Sequence, residues 1–202
     1  MLSFDPATNT ERENYKLLTG SIVPRPIAFV TSVGEDGTVN GAPFSYFNVV
    51  SSNPPMLSVS VQRKNGNMKD TTRNILGNKE FVVHIVDEQN VDKINMTAAS
   101  LASNVSEIDK ADLSLGESEI VSVPGIKESK VRFECTLEHS LELGESNSIG
   151  TDLLIGKVVR FHIEDDIYED GRINHLRHGA MSRLAGPNYA SIGKVLSLER
   201  PK

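Results

Sequence analysis

The sequence predicts a mainly β protein with helical insertions, its strands closing into an antiparallel barrel. Three observations carry the prediction. Six or more β-branched or alternating runs recur along the chain. They do not alternate regularly with helices, as a parallel sheet would require. Several are joined by short polar turns of the kind that connect antiparallel neighbours. No internal repeat or low-complexity linker interrupts the pattern, so residues 1–202 are expected to form one domain.

In chain order, residues 5–20 are polar and expected to be partly helical, with Asp5-Pro6 as a cap and Tyr15, Leu17 and Leu18 as a weak apolar face. Ile27 to Val33 is a strand, Gly34 to Gly37 a tight turn, and a second strand runs to about Phe47. Ser51-Ser-Asn-Pro-Pro55 turns the chain, because proline cannot donate to a central ladder. Met56 to Gln62 resumes as a strand. A helix is expected over Thr71 to Leu76, with Asp70 as N-cap and Gly77 at its left-handed end. Glu80 to Val86 is apolar on both faces, as in a fully buried strand, and Asp87 is placed to cap a helix running to about Leu101.

Residues 102–126 are mixed and acidic and are expected to form a surface excursion. Lys130 to Leu143 then alternates cleanly. Val131, Phe133, Cys135, Leu137, Leu141 and Leu143 take one face, while Arg132, Glu134, Thr136, Glu138 and Glu142 take a wet one. His139 shares the apolar face as a core or interface histidine, and Cys135 is a small buried hydrophobe. Gly144 to Gly150 is the turn into a long strand, Asp152 to Ile163. Asp170-Gly171 marks a further turn, and an irregular tail with Arg177, Arg183 and Tyr189 is expected to wrap back on the barrel.

Charge narrows the function. The formal net charge of −6 and pI near 5.4 disfavour nucleic acid, which needs a basic face. One cysteine rules out an internal disulfide framework and fits a reducing compartment. No basic start with an apolar run opens the chain, and no window reaches the ~20 apolar residues of a membrane helix. A cytoplasmic location is the simplest expectation.

Two stretches can carry chemistry. Arg63, Lys69, Asp70 and Thr71 combine cations, a hydroxyl and the amides of a helix start, a set that suits a phosphate, although lysines at a solvated helix cap look the same. Lys64 is expected to leave its strand on the opposite side. Pro43 to Asn48 mixes aromatic faces with amide and hydroxyl groups, as a planar heterocycle requires, although an aromatic strand end packed in a core has the same composition. Neither a zinc-ligand spacing, a nucleophile elbow nor a dinucleotide fingerprint is present.

In their order, PRPIAFVTS, NGAPFSYFN, SSNPP, MLSVSV, the Arg63 to Asn74 pattern and EFVVHIV resemble the flavin reductase-like proteins. GKVVRFHIED, the Gly171-Arg-Ile turn, and Ser182-Arg-Leu-Ala-Gly186 with Tyr189 extend the resemblance over roughly residues 15–200. Ala185 stands where the family commonly has a second glycine. The resemblance implies an antiparallel split β-barrel that binds FMN, a homodimer with the flavin near the subunit interface, and hydride transfer from NADH or NADPH, often for a separate oxygenase. Carried over by position, Ser45, Tyr46, Phe47 and Asn48 would run along the flavin, Arg63, Lys69 and Thr71 would hold its phosphate with Asp70 capping the helix, and Pro24, Arg25 and Pro26 would shape the mouth. Two other readings stay open at this point: a non-catalytic module holding flavin or haem, and chemistry like that of pyridoxamine-phosphate oxidases.

Overall fold

The computed structural model describes residues 1–99, 105–145 and 148–201. Within them a seven-stranded antiparallel sheet dominates. Its strands are β1 (Ala28–Val33), β2 (Val39–Phe44), β3 (Phe47–Ser52), β4 (Pro55–Gln62), β5 (Glu80–Ile85), β6 (Val131–Glu145) and β7 (Ser148–Ile163). The spatial order is β2-β1-β5-β6-β7-β4-β3. The expected run to Phe47 therefore breaks into two strands, with Ser45 and Tyr46 as the corner between them.

That corner dictates the shape. The outermost strands, β2 and β3, are consecutive in the chain and joined by two residues. Laid flat, the sheet would separate them by roughly 29 Å at ~4.8 Å per spacing. The link spans roughly 10 Å at most. The sheet must curl until its edges meet at this end, and the Ser60 N–H donates to the Tyr46 carbonyl at 2.8 Å to fasten the corner onto β4. Side chains from all seven strands fill the concave side: Val30, Phe44, Phe47, Val59, Val83, Cys135 and Leu154 belong to one buried cluster, sealed by Ile75. Burial pushes the Cys135 thiol pKa up, and the nearby Glu134 charge adds to it. Gly156 is required here, because a Cβ would come within 2.3 Å of the Phe81 ring.

The stretch from 105 to 126 is not a surface excursion. Ile108, Ala111, Leu113 and Ile126 pack with Ile27, Phe29, Val86 and Ile94 into a second buried cluster on the convex face, and Val121 and Val123 cover Val82 in a third. The buried character expected of 80–86 follows from this double cover. Glu134 is likewise not on a wet side: it is fully buried and accepts the amides of Glu119, Ile120 and Val121 at 2.7, 2.7 and 2.9 Å and His162 Nε2 at 2.5 Å. His84 Nε2 accepts the Ile126 amide at 3.0 Å, and its Nδ1 faces the Phe29 carbonyl. Burial, with the Arg132 and His162 charges, lowers this imidazole to about 3, so it serves as a neutral strut.

Several helix boundaries differ from expectation. α1 (Glu11–Ser21) starts at Thr10, whose side chain accepts the Glu13 amide while Glu13 reaches back, so a capping box replaces Asp5-Pro6. α2 (Asp70–Asn78) is capped by Lys69, not Asp70, and ends at Lys79 in the left-handed region, φ 65°, rather than at Gly77. Asp87 accepts the Gln89 and Asn90 amides and introduces only the short α3 (Val91–Met96); Leu101, the expected helix end, lies outside the described residues. So do residues 146 and 147, within the turn expected over Gly144 to Gly150. His139 is exposed, because the distal half of that hairpin extends past the core. The Asp170-Gly171 turn closes a small hairpin, and the tail returns as expected, Ser182–Arg183 pairing with Arg25–Pro26 and with Tyr189–Ala190. Among the described residues no helix is long and apolar enough to cross a membrane.

Candidate functional site

All but Arg63 of the residues singled out in the sequence fall around two cavities, one at the β2–β3 corner and one beside β2 at the start of α2. The first, about 280 Å³, is lined by Pro24, Arg25, Pro26, Ser45, Tyr46, Phe47 and Asn48, together with Leu18 and Thr19 of α1 and its C-cap Ile22. Its composition is mainly apolar with a few fixed polar groups, as a planar ligand needs. Phe47 is buried, and Asn48 Oδ1 is held by the Val49 amide at 2.8 Å. Burial raises the Tyr46 phenol pKa and Tyr15 adds to it, while Arg25 opposes both.

The second cavity, about 350 Å³, is lined by Asn40, Ala42 and Pro43 of β2, by Lys64, Met68, Lys69, Asp70 and Thr71, and by Glu107. No side chain caps the first turn of α2, leaving its amides toward this end of the helix unclaimed by a cap. The Thr71 hydroxyl accepts from Asn40 Nδ2 at 3.0 Å and keeps its own proton to donate. Lys69 as a whole is exposed, but its ammonium, 5.6 Å from the Phe44 ring centroid, is crowded: desolvation and then the Lys64 charge lower its pKa from 10.5. Both effects are relieved by an anion. Burial raises the Glu107 carboxyl pKa. Strand β2 connects the cavities: from Asn40 to Ser45 the chain advances roughly 17 Å.

Arg63 is not part of this arrangement. Its Nε and Nη2 engage Asp152, at 2.6 to 3.1 Å, and Nη2 also pairs with Glu142. Those carboxylates hold the guanidinium more firmly protonated and already neutralise it. Lys64, expected on the opposite side, lines the Lys69 cavity instead. The reason is the turn at Asn65 and Gly66, both with positive φ, which pairs Lys64 with Asn67 and folds the chain back. Asn-Gly is the signal that would have revealed it. Asp70 pairs with Arg73 at the start of the helix rather than capping it.

A larger cavity, about 830 Å³, opens on the convex face near Arg132, Phe161 and His162. Three of its polar groups are committed elsewhere: Lys130 Nζ donates to the Arg177 carbonyl at 2.8 Å, Arg132 Nη2 to that of Glu117 at 3.0 Å, and His162 is joined to Glu134. Size alone does not make it the site.

Comparison with known proteins identifies the family. Residues 19–179 match the family described as flavin reductase like domain. An uncharacterised protein of Bacillus subtilis (strain 168) is 50% identical over 204 residues, covering all of both chains. Among solved structures, nitrilotriacetate monooxygenase component B from Bacillus cereus is 57% identical with a TM-score of 0.97, covering 98% of each chain. The 2-nitrobenzoate 2-nitroreductase of Pseudomonas fluorescens is 28% identical with a TM-score of 0.89, over 99% of this chain and 96% of that one.

Proposed function

Since the chain belongs to the flavin reductase-like family, we propose that it is an FMN-dependent oxidoreductase that accepts hydride from NADH or NADPH and delivers reduced flavin to a separate oxygenase. One observation carries the reading most directly: the likeness, at 57% identity over nearly the whole chain, to a protein described as a monooxygenase component. The curled sheet, open between its two edge strands, is consistent with a split β-barrel.

The residues present fit the cofactor. Lys69, with Lys64 beside it, the Thr71 hydroxyl and the first-turn amides of α2 would hold the phosphate, joining charge to a helix N-terminus. Ser45, Tyr46, Phe47 and Asn48 would lie along the ring and ribityl chain, and Pro24 and Pro26 would bound the mouth. When bound, the flavin supplies the hydride-accepting chemistry, so the protein needs no acid or base of its own for that step. The task left to these side chains is to align two rings and keep water from the corner.

A second copy of the chain belongs to the proposal. Leu141 and Leu143 on the projecting hairpin and Val49 and Val50 on β3 are exposed apolar side chains without a core to join. Purified protein is expected to show flavin absorption bands, to release FMN on denaturation, and to sediment at twice 22.1 kDa. Colourless protein that takes up no added FMN would overturn the assignment, and a Soret band would replace it with haem binding.

A further inference from the structure

Arg25 is a buried cation with no anionic partner among the described residues. It is 7% exposed, and its guanidinium donates only to carbonyls: Nη1 to Thr19 at 2.7 Å and Ile22 at 2.6 Å, Nη2 to Leu184 at 3.0 Å. Nε is buried with no acceptor at all. Among the described residues no carboxylate comes within ion-pair distance of it, whereas Arg63, Arg73, Arg160 and Arg177 all have one. Its register partner is a second cation, Arg183, which stacks on Tyr189. The titratable group nearest in effect is Tyr46, a neutral phenol.

Carbonyl dipoles solvate a guanidinium but leave its net charge in place. A buried charge of this kind is ordinarily paired, and a buried donor without an acceptor is rare. Arg25 lines the same cavity as Ser45 and Tyr46, so its uncompensated field falls where the flavin ring is placed. We propose that Arg25 is the counter-charge for the pyrimidine edge of the bound flavin and sets its reduction potential, an inference that rests on the flavin reading above. Hydride delivery breaks the C4–H bond of the dihydronicotinamide and forms N5–H on the flavin. Two electrons and one proton move together, the nicotinamide leaves as a cation, and one negative charge stays on the flavin, over N1 and the C2 carbonyl. Arg25 opposes that charge without donating a proton, so reduced flavin is held more tightly than oxidised flavin.

The test compares the Kd of oxidised FMN with that of dithionite-reduced FMN for wild type, Arg25→Gln and Arg25→Lys. Glutamine keeps donors for the α1 carbonyls but no charge; lysine keeps the charge. Arg25→Gln is expected to lose the preference for reduced FMN by at least about tenfold, about 30 mV in a two-electron potential, and Arg25→Lys to retain it within about threefold. An unchanged ratio in Arg25→Gln, or an equal loss in both variants, overturns the proposal and leaves Arg25 as a strap between α1 and the tail. Should Arg25→Gln not fold, the wild-type potential decides, measured at mildly acid pH where free FMN takes up two protons with its two electrons. There one proton per two electrons, a slope of about 30 mV per pH unit, supports the charge role, and the free-flavin slope of about 60 refutes it. Wild type that binds no flavin defeats the parent reading, whereas flavin bound with an unaltered ratio defeats this one alone.

Discussion

Removing Lys69 should separate FMN from riboflavin. In Lys69→Ala the cavity loses the ammonium of the α2 N-cap residue, while the Phe44 ring and the Ser45–Asn48 corner stay in place. A charge-assisted bond to a phosphate contributes about 1.5–3 kcal/mol, or roughly ten- to 150-fold in Kd. Because Lys69 is solvent-exposed, screening places the loss near the lower bound. Its pKa is lowered by desolvation and by Lys64, and a bound phosphate would raise it. Binding therefore favours the protonated amine: FMN affinity should be greatest below that lowered pKa and fall as pH rises through it toward the liganded value. Riboflavin, without a phosphate, should show neither effect. Fluorescence titration of both ligands across alkaline pH measures this. Equal weakening of FMN and riboflavin in Lys69→Ala, or no pH dependence of FMN binding in wild type, would refute the phosphate site.

Three further outcomes follow from the same structure. Arg63→Ala should leave the preference for FMN over riboflavin in place while lowering the melting temperature, because it strands the buried Asp152; a selective loss of FMN would restore Arg63 to the phosphate site. Glu134→Gln should cost on the order of 3 kcal/mol, since an amide cannot accept all the donors aimed at it. Burial alone would raise the Glu134 pKa, but three amides and His162 bring it to about 2. Wild-type stability from this group is thus complete above the ordinary carboxyl value of 4.5 and lost as pH falls from there toward 2, a loss that denaturant melts should show and Glu134→Gln should lack. Gly156→Ala should cost roughly 1–3 kcal/mol by overpacking against Phe81, and an unchanged urea midpoint would contradict the packing described.

Much of the sheet was legible because a strand writes its environment into its side chains: β4 follows its apolar alternation, and β5 is buried on both faces as its unbroken apolar run requires. The convex layer was not. Ile108, Val121 and Ile126 are irregularly spaced, and only the completed sheet gives them a surface to cover. Glu134 looked wet because alternation reports which face a residue occupies, not what later packs on that face. Arg63 looked free for the same reason: Asp152 and Glu142 lie 89 and 79 residues away, beyond any local pattern. The corner residues 45–48 were legible as a group from their composition, but not that they join the two outermost strands. The isolated charge of Arg25 could not be seen at all, since it consists in partners that the fold does not provide.

The most direct test of the central claim is anaerobic stopped-flow absorbance of the FMN-loaded protein mixed with NADH and, separately, NADPH. Bleaching of the flavin band is expected with at least one nicotinamide, followed by recovery of the band on admitting oxygen. Flavin that stays oxidised with both donors, yet bleaches with dithionite, would show a carrier of flavin and not a reductase.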